Sequence, residues 1–320
     1  MDAERWPLAV ITGATSGIGL ALAQELLRRG CWRVVAAAHE ASPRSAVDAA
    51  AFLLSAVPDA ANRVVFQPLD LANPRSIEDF ASAVVAQHGP PAVLFLNAAT
   101  GNVGGGPGDA PPVLSPLFGH ERTVAVNHLG HAALTARFLP SMLARGGPSR
   151  VVVLACAAGR RAKPLRERNF DAARPFDWND AQTWGGFDAE EAYRASKRMQ
   201  VLFAASLHEK YGTRGVVCCA VDPGIVPGTG LLRSRSPLFR WAFQHVAAPA
   251  WSFLLPVRSP AQAAASLAFA AEAGAAAVAG RLIEPDARAG KAPALADGAS
   301  HAARDALWEW TTGACGVTWP

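Results

Sequence analysis

The sequence predicts an α/β protein built on one doubly wound parallel sheet with helices on both faces. Three observations predict it. Strand-like runs alternate with helical runs over about the first 220 residues, several strand-like runs are continuously apolar, and a glycine-rich turn follows the first of them. Strands that crossover helices bury on both faces have this apolar character. The alternation places the ligand at the carboxyl ends of the strands.

The individual elements follow from apolar runs, turn residues and helical periodicity. The predicted strands are Leu8–Ile11, Arg33–Ala38, Arg63–Leu69, Ala92–Leu96, Arg150–Cys156 and Gly215–Val221, with Gly280–Glu284 as an edge strand. The predicted helices are Leu20–Leu27, Arg44–Val57, Pro74–Gln87, Val124–Leu143 and Glu190–Tyr211. Pro74 suits the first turn of its helix, and the alanine-rich run Ala261–Ala279 is helical in propensity.

The turn after the first strand reads Thr12-Gly-Ala-Thr-Ser-Gly-Ile-Gly19. Gly13 permits a tight turn, Gly17 lets the backbone approach a pyrophosphate, and Gly19 allows close helix–strand packing. The N–H groups at the helix start would then meet the phosphates. This pattern predicts a Rossmann-type dinucleotide site, whose contacts here are Gly13, Thr15, Ser16, Gly17, Ile18 and Gly19.

Tyr193 and Lys197 stand four residues apart in a predicted helix. This spacing puts the phenol and the ammonium on one face, one turn apart. A cation beside a tyrosine favours the phenolate, so we expect Lys197 to lower the pKa of Tyr193 toward neutrality. Tyr193 is therefore the predicted proton donor and acceptor of a reaction.

The composition of the chain limits the classes of protein to which it can belong. The chain has 320 residues, 51% hydrophobic and 18% charged, with a net charge of +4. We expect one domain, 1–320, with an insertion at 157–190 and a lid at 229–257. No dense lysine and arginine block indicates nucleic-acid binding, and no uninterrupted apolar run of about 18 residues indicates a transmembrane helix.

The cysteines and the start of the chain bear on the compartment. The five cysteines show no metal-like spacing, so no metal site is predicted and a reduced, cytoplasmic protein is the default. The first strand is predicted to begin at Leu8, so we expect no signal or transit peptide before it.

Together these motifs resemble the short-chain dehydrogenase/reductase family along nearly the whole chain. Asp70-Leu71 matches the family's acidic residue beside the adenine, and Asn127 matches its active-site asparagine. The other matching residues are Asn97, Ala98 and Ala99 after the fourth strand, where Ala99 replaces a glycine, and Pro223, Gly224, Ile225 and Thr229 after the sixth. The resemblance implies that these residues, apart from Asn127, line a nicotinamide dinucleotide site.

The chemistry that the resemblance implies is hydride transfer between a nicotinamide and a carbonyl or alcohol carbon. Tyr193 would be the acid in reduction and the base in oxidation. Lys197 would hold the ribose hydroxyls and lower the pKa of Tyr193. Asn127 would help to hold a water in a proton relay, through its side chain or the local backbone.

Cys156 departs from the family pattern. The family places a serine near the end of the fifth strand, where its hydroxyl binds the substrate oxygen, and Cys156 stands at that position. A thiol is a weaker donor than a hydroxyl, and removal of such a donor costs roughly 10²–10³ in rate. An adapted donor, a reactive thiol, weakened carbonyl chemistry and a small buried cysteine all stay open as interpretations.

The end of the second strand bears on the choice of cofactor. Sites that prefer NAD carry Asp or Glu there to bind the ribose 2′-hydroxyl, and this chain has Ala38. A 2′-phosphate would meet no repulsion from Ala38 and could find His39 and Arg44 as cationic partners. NADP(H) is therefore favoured over NAD(H), although Glu40 weakens the argument.

Two long segments suggest the substrate. Cys156 and Tyr193 are 37 residues apart, and the insertion between them is rich in aromatic residues. A second aromatic run, Leu231–Val257, follows the sixth strand. An aromatic-rich lid would enclose a large apolar ligand. Packing on the core, packing on a partner subunit in a homo-oligomer, and peripheral contact with a lipid surface are the alternatives for these aromatics.

Within the family, the chain is closest in outline to the light-dependent protochlorophyllide oxidoreductase and retinol dehydrogenase-like branch. Val126–His131 and Asp222–Arg240 carry that likeness, whereas Ile225 stands where the photoenzymes have a functional cysteine. We therefore expect an NADP(H)-dependent oxidoreductase acting on a bulky hydrophobic carbonyl or alcohol, retinoid-like or similar. A C=C reductase of the protochlorophyllide type, and an NADP(H)-binding sensor or scaffold with weakened catalysis, are the alternatives.

Overall fold

The computed structural model describes residues 6–40, 42, 44–101, 119–156, 159, 162, 188–227, 229, 236–247, 256–284 and 300–320. The predicted insertion at 157–190 lies almost wholly outside these residues. The predicted lid at 229–257 is described at 229, 236–247 and 256–257.

Seven parallel strands form one sheet in the order β3-β2-β1-β4-β5-β6-β7. Their bounds are β1 Leu8–Ile11, β2 Arg33–Ala38, β3 Val64–Pro68, β4 Val93–Leu96, β5 Ser149–Leu154, β6 Val216–Val221 and β7 Leu282–Ile283. The predicted doubly wound parallel sheet is confirmed. Strand order reverses between β1 and β4, and a ligand crevice opens beyond the carboxyl ends of strands at such a switch point.

Helices form the crossover connections that parallel strands require. Their bounds are α1 Gly17–Arg28, α2 Ala46–Ala56, α3 Pro74–His88, α4 Arg122–Val124, α5 Gly130–Ala144, α6 Ala189–Tyr211, α7 Pro237–Ala242, α8 Pro260–Glu272, α9 Ala275–Val278 and α10 His301–Cys315. A π turn, Ala125–Leu129, joins α4 to α5, and a second, Phe243–Ala247, follows α7. The alanine-rich run is two helices rather than one, because Gly274 has an extended ψ of 142° between them.

The core lies on both faces of the sheet. Ile77 of α3, Phe138 of α5 and Phe203 of α6 pack on one face. Leu22 of α1 and Leu267 of α8 pack on the other. Each face of the sheet buries a separate apolar cluster, so the sheet is covered on both sides. The loops that follow the strands lie at the polar edge of the sheet.

The carboxyl-terminal helix α10 was not predicted from the sequence. Ser300 caps it, and Trp308 stacks on Phe203 of α6 with ring centroids 5.6 Å apart. The Tyr211 hydroxyl donates to the carbonyl of Pro320 at 3.1 Å. The helix and the residues after it are stabilised by partners about 100 residues upstream, which no local pattern reveals. No helix in the described part of the chain combines the length and apolar character that a membrane crossing requires.

Candidate active site

Asn97 holds the glycine-rich turn against the end of β4. Its Nδ2 donates to the carbonyl oxygen of Thr12 at 2.7 Å, and its backbone N–H donates to Thr12 Oγ1 at 2.9 Å. Gly13 has a φ of 67°, which glycine adopts without strain. A Cβ at Gly19 would lie 2.4 Å from the Gly13 carbonyl oxygen. Only glycine therefore lets α1 begin this close to the turn.

The first helix begins without a side-chain cap. Ser16 occupies the N-cap position and its side chain accepts no hydrogen bond from the first turn. Other helices are capped by Ser45, Asn73, Asp188, Ser259 and Ser300. The methyl carbon of Thr229 is 3.7 Å from where a Cβ on Gly17 would lie. Uncapped N–H groups and the helix dipole suit an anion, so this end of α1 fits a pyrophosphate.

His39, the predicted phosphate partner, pairs with Asp70, the predicted adenine contact. His39 Nε2 lies 3.5 Å from Asp70 Oδ1, with both side chains partly exposed. Asp70 Oδ1 also accepts from the backbone N–H of Ala72 at 2.8 Å, which orients the carboxylate. Beside the uncharged Ala38, the carboxyl ends of β2 and β3 therefore present an imidazole and a carboxylate together.

Two other predicted cofactor residues also have partners within the chain. The Arg44 guanidinium lies over the ring of Phe52, 4.9 Å from its centroid. The hydroxyls of Thr15 and Ser42 hydrogen-bond each other across the edge of the sheet. The Thr15–Ser42 contact links the glycine-rich turn to the loop after β2, so the two predicted parts of the cofactor site adjoin.

Asn127 clamps the loop after β4 onto α6. Its Oδ1 accepts from the backbone N–H of Thr100 at 2.8 Å, and its Nδ2 donates to the Thr100 carbonyl at 2.8 Å and to Ser196 Oγ at 3.0 Å. The Asn127 carbonyl oxygen lies 2.9 Å from His131 Nδ1. Both amide N–H donors are thus engaged by protein groups, which leaves only acceptor positions of Asn127 for a relay water.

Tyr193 and Cys156 meet at the carboxyl end of β5. The buried Tyr193 hydroxyl hydrogen-bonds Cys156. Burial, Cys156 and the charge of Asp222 raise the pKa of Tyr193 well above its ordinary value of 10. The expected lowering by Lys197 is not what the chain shows, because desolvation disfavours the phenolate and Lys197 Nζ lies 5.9 Å from the ring centroid. Tyr193 is held as a neutral phenol, the form that donates a proton.

Lys197 is fully buried among neutral acceptors. Its Nζ donates to the Leu154 carbonyl oxygen at 3.1 Å and to Gln200 Oε1 at 2.9 Å. Burial lowers the pKa of Lys197 from 10.5 to about 8, and Cys156 opposes that shift. The pKa of His131 falls to about 3, chiefly through burial and further through the Lys197 charge. At neutral pH the site therefore holds one ammonium beside a neutral imidazole.

The turn after β6 forms the other side of the site. Asp222 is buried, and its Oδ1 accepts from the Gly224 N–H at 3.0 Å. The Ile225 N–H donates to the carbonyl of Pro256 at 2.9 Å, and Ile225 pairs with Val257 as a β-bridge. This turn is thereby tied to the segment that enters α8, so the predicted cofactor residues there have a defined place.

Several residues that build the site were not predicted from the sequence as site residues. They are Thr12, Thr100, His131, Ser196, Gln200 and Asp222. Two carried a usable signal. Gln200 follows Lys197 by three residues and His131 follows Asn127 by four, and both spacings place side chains on one helix face. In the part of the chain that the structure describes, no group of three or more His, Cys, Asp or Glu side chains could hold a metal.

A family model and individual relatives match this chain and agree on its family. A family model described as short chain dehydrogenase matches residues 7–167. Protochlorophyllide reductase B, chloroplastic, of Oryza sativa subsp. japonica is 32% identical over 251 residues, covering 73% of this chain and 59% of that protein. Dehydrogenase/reductase SDR family member 13 of Bos taurus is 36% identical over 225 residues, covering 70% and 53%. The chain spans only between about half and three-fifths of the length of these relatives.

Solved structures share the fold at lower identity. A metagenomic short-chain oxidoreductase in complex with NADP superposes with a TM-score of 0.59 at 22% identity, covering 89% of this chain and 100% of that one. A 3-oxoacyl-[acyl-carrier protein] reductase from Brucella melitensis in complex with NAD gives 0.64 at 21% identity, covering 88% and 96%. These likenesses show a common architecture.

Proposed function

The chain belongs to the short-chain dehydrogenase family of oxidoreductases, and from its site we propose that it transfers hydride between NADP(H) and a carbonyl or alcohol of a bulky hydrophobic molecule. The observation that carries this proposal is the meeting of a neutral Tyr193, the ammonium of Lys197 and the thiol of Cys156 at the carboxyl end of β5. The uncapped end of α1 lies at the same edge of the sheet.

The residues present fit a nicotinamide dinucleotide. The first turn of α1 and Gly17 would receive the pyrophosphate, and Lys197 would hold the ribose hydroxyls. The bound cofactor would supply or accept the hydride. Ala38 leaves room for a 2′-phosphate without repulsion, and His39 and Arg44 would bind it. Solved structures of this fold hold NADP or NAD, so the preference for NADP(H) rests on these residues of the chain.

Proton transfer is the work proposed for Tyr193. Tyr193 is a neutral phenol near neutral pH, so in reduction it would donate to the developing alkoxide. Lys197, a cation in a buried site, would stabilise negative charge there. Cys156 touches the Tyr193 hydroxyl and would contact the same substrate oxygen, in the role that a serine fills elsewhere in the family.

The segment after β6 supports the proposed substrate class. Leu238, Phe239 and Trp241 of α7 expose large apolar surfaces to solvent. Exposed apolar patches of this kind mark binding surfaces, which supports a bulky hydrophobic substrate, retinoid-like or similar. Peripheral contact with a lipid surface and a homo-oligomer interface are the other uses that this surface would fit. All five cysteines are free thiols, which supports a reducing, cytoplasmic setting.

The similarity to protochlorophyllide reductases favours a second candidate, reduction of a conjugated C=C bond. The same Tyr193 would then protonate carbon rather than oxygen. Against it, Ile225 stands where those photoenzymes carry a functional cysteine. The two candidates differ in product, an alcohol in one and a saturated bond in the other.

The deciding experiment is turnover with a matched panel of substrates. The purified chain would be incubated with NADPH or NADH and with aldehydes, ketones, retinoids and conjugated alkenes, with product analysis. Alcohol formed from a bulky apolar carbonyl, with NADPH as the better donor, is the expected result. Tight NADPH binding without turnover of any substrate would instead support a sensor or scaffold.

A further inference from the structure

Lys197 is set in a chain of buried polar groups that reaches the glycine-rich turn. Its Nζ donates to Gln200 Oε1 at 2.9 Å, and Gln200 Nε2 lies 3.1 Å from His131 Nδ1. On the other side of the imidazole, His131 Nε2 lies 2.9 Å from Thr12 Oγ1. All four side chains are at most 2% exposed. The route therefore joins α6, α5 and the end of β1 without passing through solvent.

Chemistry determines which way the Gln200 amide faces. An ammonium has donors and no acceptor, so the carbonyl oxygen of the amide must point at Lys197 and the amide nitrogen at His131. Thr12 Oγ1 in turn accepts from the backbone N–H groups of Asn97 and Ala98, at 2.9 and 3.0 Å. His131 Nδ1 also lies 2.9 Å from the Asn127 carbonyl oxygen, which only accepts, so the ammonium of Lys197 is the partner that fixes the orientation of Gln200.

We propose that Gln200 is a positioning residue for Lys197, which its Oε1 holds in place and whose charged form it stabilises in the buried site. The inference goes beyond the proposed function, on which it rests for the role of Lys197 beside Tyr193. Among the described residues, the other acceptor of Lys197 Nζ is the backbone carbonyl of Leu154. Gln200 is thus the side-chain acceptor whose substitution should change the pKa of the Lys197 ammonium.

Several titratable groups in the described part of the chain lie around Lys197 or act on its neighbour Tyr193. Tyr193 lies on the same helix, Cys156 follows β5, and His131 lies on α5. Asp222, at the end of β6, acts on Tyr193. Cys156 favours the charged amine of Lys197, whereas burial disfavours it. Loss of the Gln200 acceptor would therefore leave a buried cation with less compensation.

The test measures the titration of Lys197 directly, without any substrate. The chain has four lysines, so ¹⁵N-lysine NMR gives few side-chain signals, and the one lost in Lys197→Arg identifies Lys197. Gln200→Met removes the acceptor at similar length, and Gln200→Glu replaces it with a carboxylate. Gln87→Met, at an exposed glutamine of α3, is the control.

We expect opposite shifts from the two substitutions. A hydrogen bond to a charged group changes the pKa of that group by roughly one to two pH units. The Lys197 titration should move down from about 8 in Gln200→Met, move up in Gln200→Glu, and stay unchanged in Gln87→Met. Where an active substrate is known, the fall in kcat at high pH should move in the same two directions, with the KM for substrate little changed.

A residue that merely fills space would leave both midpoints where they are and lower only stability or the amplitude of activity. Unmoved Lys197 titration in folded Gln200→Met, or shifts of the same sign in both variants, would overturn the proposal. If Gln200→Met does not fold, Gln200→Asn retracts the acceptor by one methylene and should shift the titration down by less. Because the NMR readout needs no turnover, failure of the proposed function would leave this result interpretable.

Discussion

His39 Nε2 and Asp70 Oδ1 lie 3.5 Å apart at the carboxyl ends of β2 and β3. Two residues that the sequence assigned to different parts of a cofactor therefore share one small region. A 2′-phosphate bound beside His39 would also lie near the Asp70 carboxylate, so the selectivity of this edge depends on the balance between attraction to His39 and repulsion by Asp70.

The first prediction concerns cofactor preference. NADPH should bind at least about tenfold more tightly than NADH, a difference of about 1.4 kcal/mol, because Ala38 presents no carboxylate to the 2′-phosphate. Ala38→Asp should swing the preference toward NADH. Calorimetric or fluorescence titration of both cofactors measures this. Equal affinities for the two cofactors in the parent chain would show that the prediction is wrong.

The second prediction concerns proton transfer. Tyr193→Phe keeps the ring and removes the proton, so turnover should fall by about 10² or more while NADPH still binds. The chain has two tyrosines, and Tyr211→Phe is the matched control because Tyr211 hydrogen-bonds Pro320 instead. Undiminished turnover by Tyr193→Phe on an active substrate would require another proton donor.

The third prediction concerns the thiol. Cys156→Ser restores a stronger donor at nearly constant volume, so turnover of a carbonyl substrate should rise or hold. Cys31→Ser, at an exposed thiol, is the control for effects that the loss of any free cysteine would have. A fall of about tenfold or more in Cys156→Ser alone would mean that the sulfur has its own chemical role.

The fourth prediction concerns acid stability. Burial, with a further contribution from His131, lowers the pKa of His128 from 6.5 to about 3. Below pH 6.5 the unfolded chain takes up a proton that the folded chain refuses, so stability falls as the pH falls from 6.5 toward 3. One such group contributes about 1.4 kcal/mol per pH unit to that slope.

His128→Phe should make the unfolding free energy less sensitive to pH in this range by about one proton. The phenyl ring can keep the stack on Trp310, whose centroid lies 6.1 Å from that of His128, although the bond to Thr311 is lost. Urea unfolding at several pH values measures the slope. An unchanged slope in His128→Phe would contradict the prediction.

The fifth prediction concerns the glycine-rich turn. A Cβ at Gly19 would lie 2.4 Å from the Gly13 carbonyl oxygen and 2.5 Å from Asn97 Nδ2, so Gly19→Ala should weaken NADPH binding and cost about 1–3 kcal/mol of stability. Gly313→Ala in α10 meets no atom within 4 Å and should stabilise by about 0.5–1 kcal/mol. Thermal unfolding with and without NADPH compares the two, and equal behaviour of both would count against the close approach.

The strands and helices show how much of the fold local sequence patterns predict. The first two strands, Leu8–Ile11 and Arg33–Ala38, have the predicted bounds, because short apolar runs between turns mark buried strands. The helix α10 was missed because its amphipathic face is matched to α6, far away in the chain. The break at Gly274 divides a run whose alanine content predicts one helix.

The sequence by itself determined the parallel sheet, the glycine-rich turn and the spacing of Tyr193 and Lys197, since periodicity and short-range sterics encode all three. The tertiary structure decided the chemical state of those groups. It buried Tyr193 beside Cys156 and Asp222, which raises rather than lowers its pKa, and it placed Lys197 against Gln200. Desolvation and partner choice depend on segments that only the folded sheet brings together, so spacing along one helix cannot reveal them.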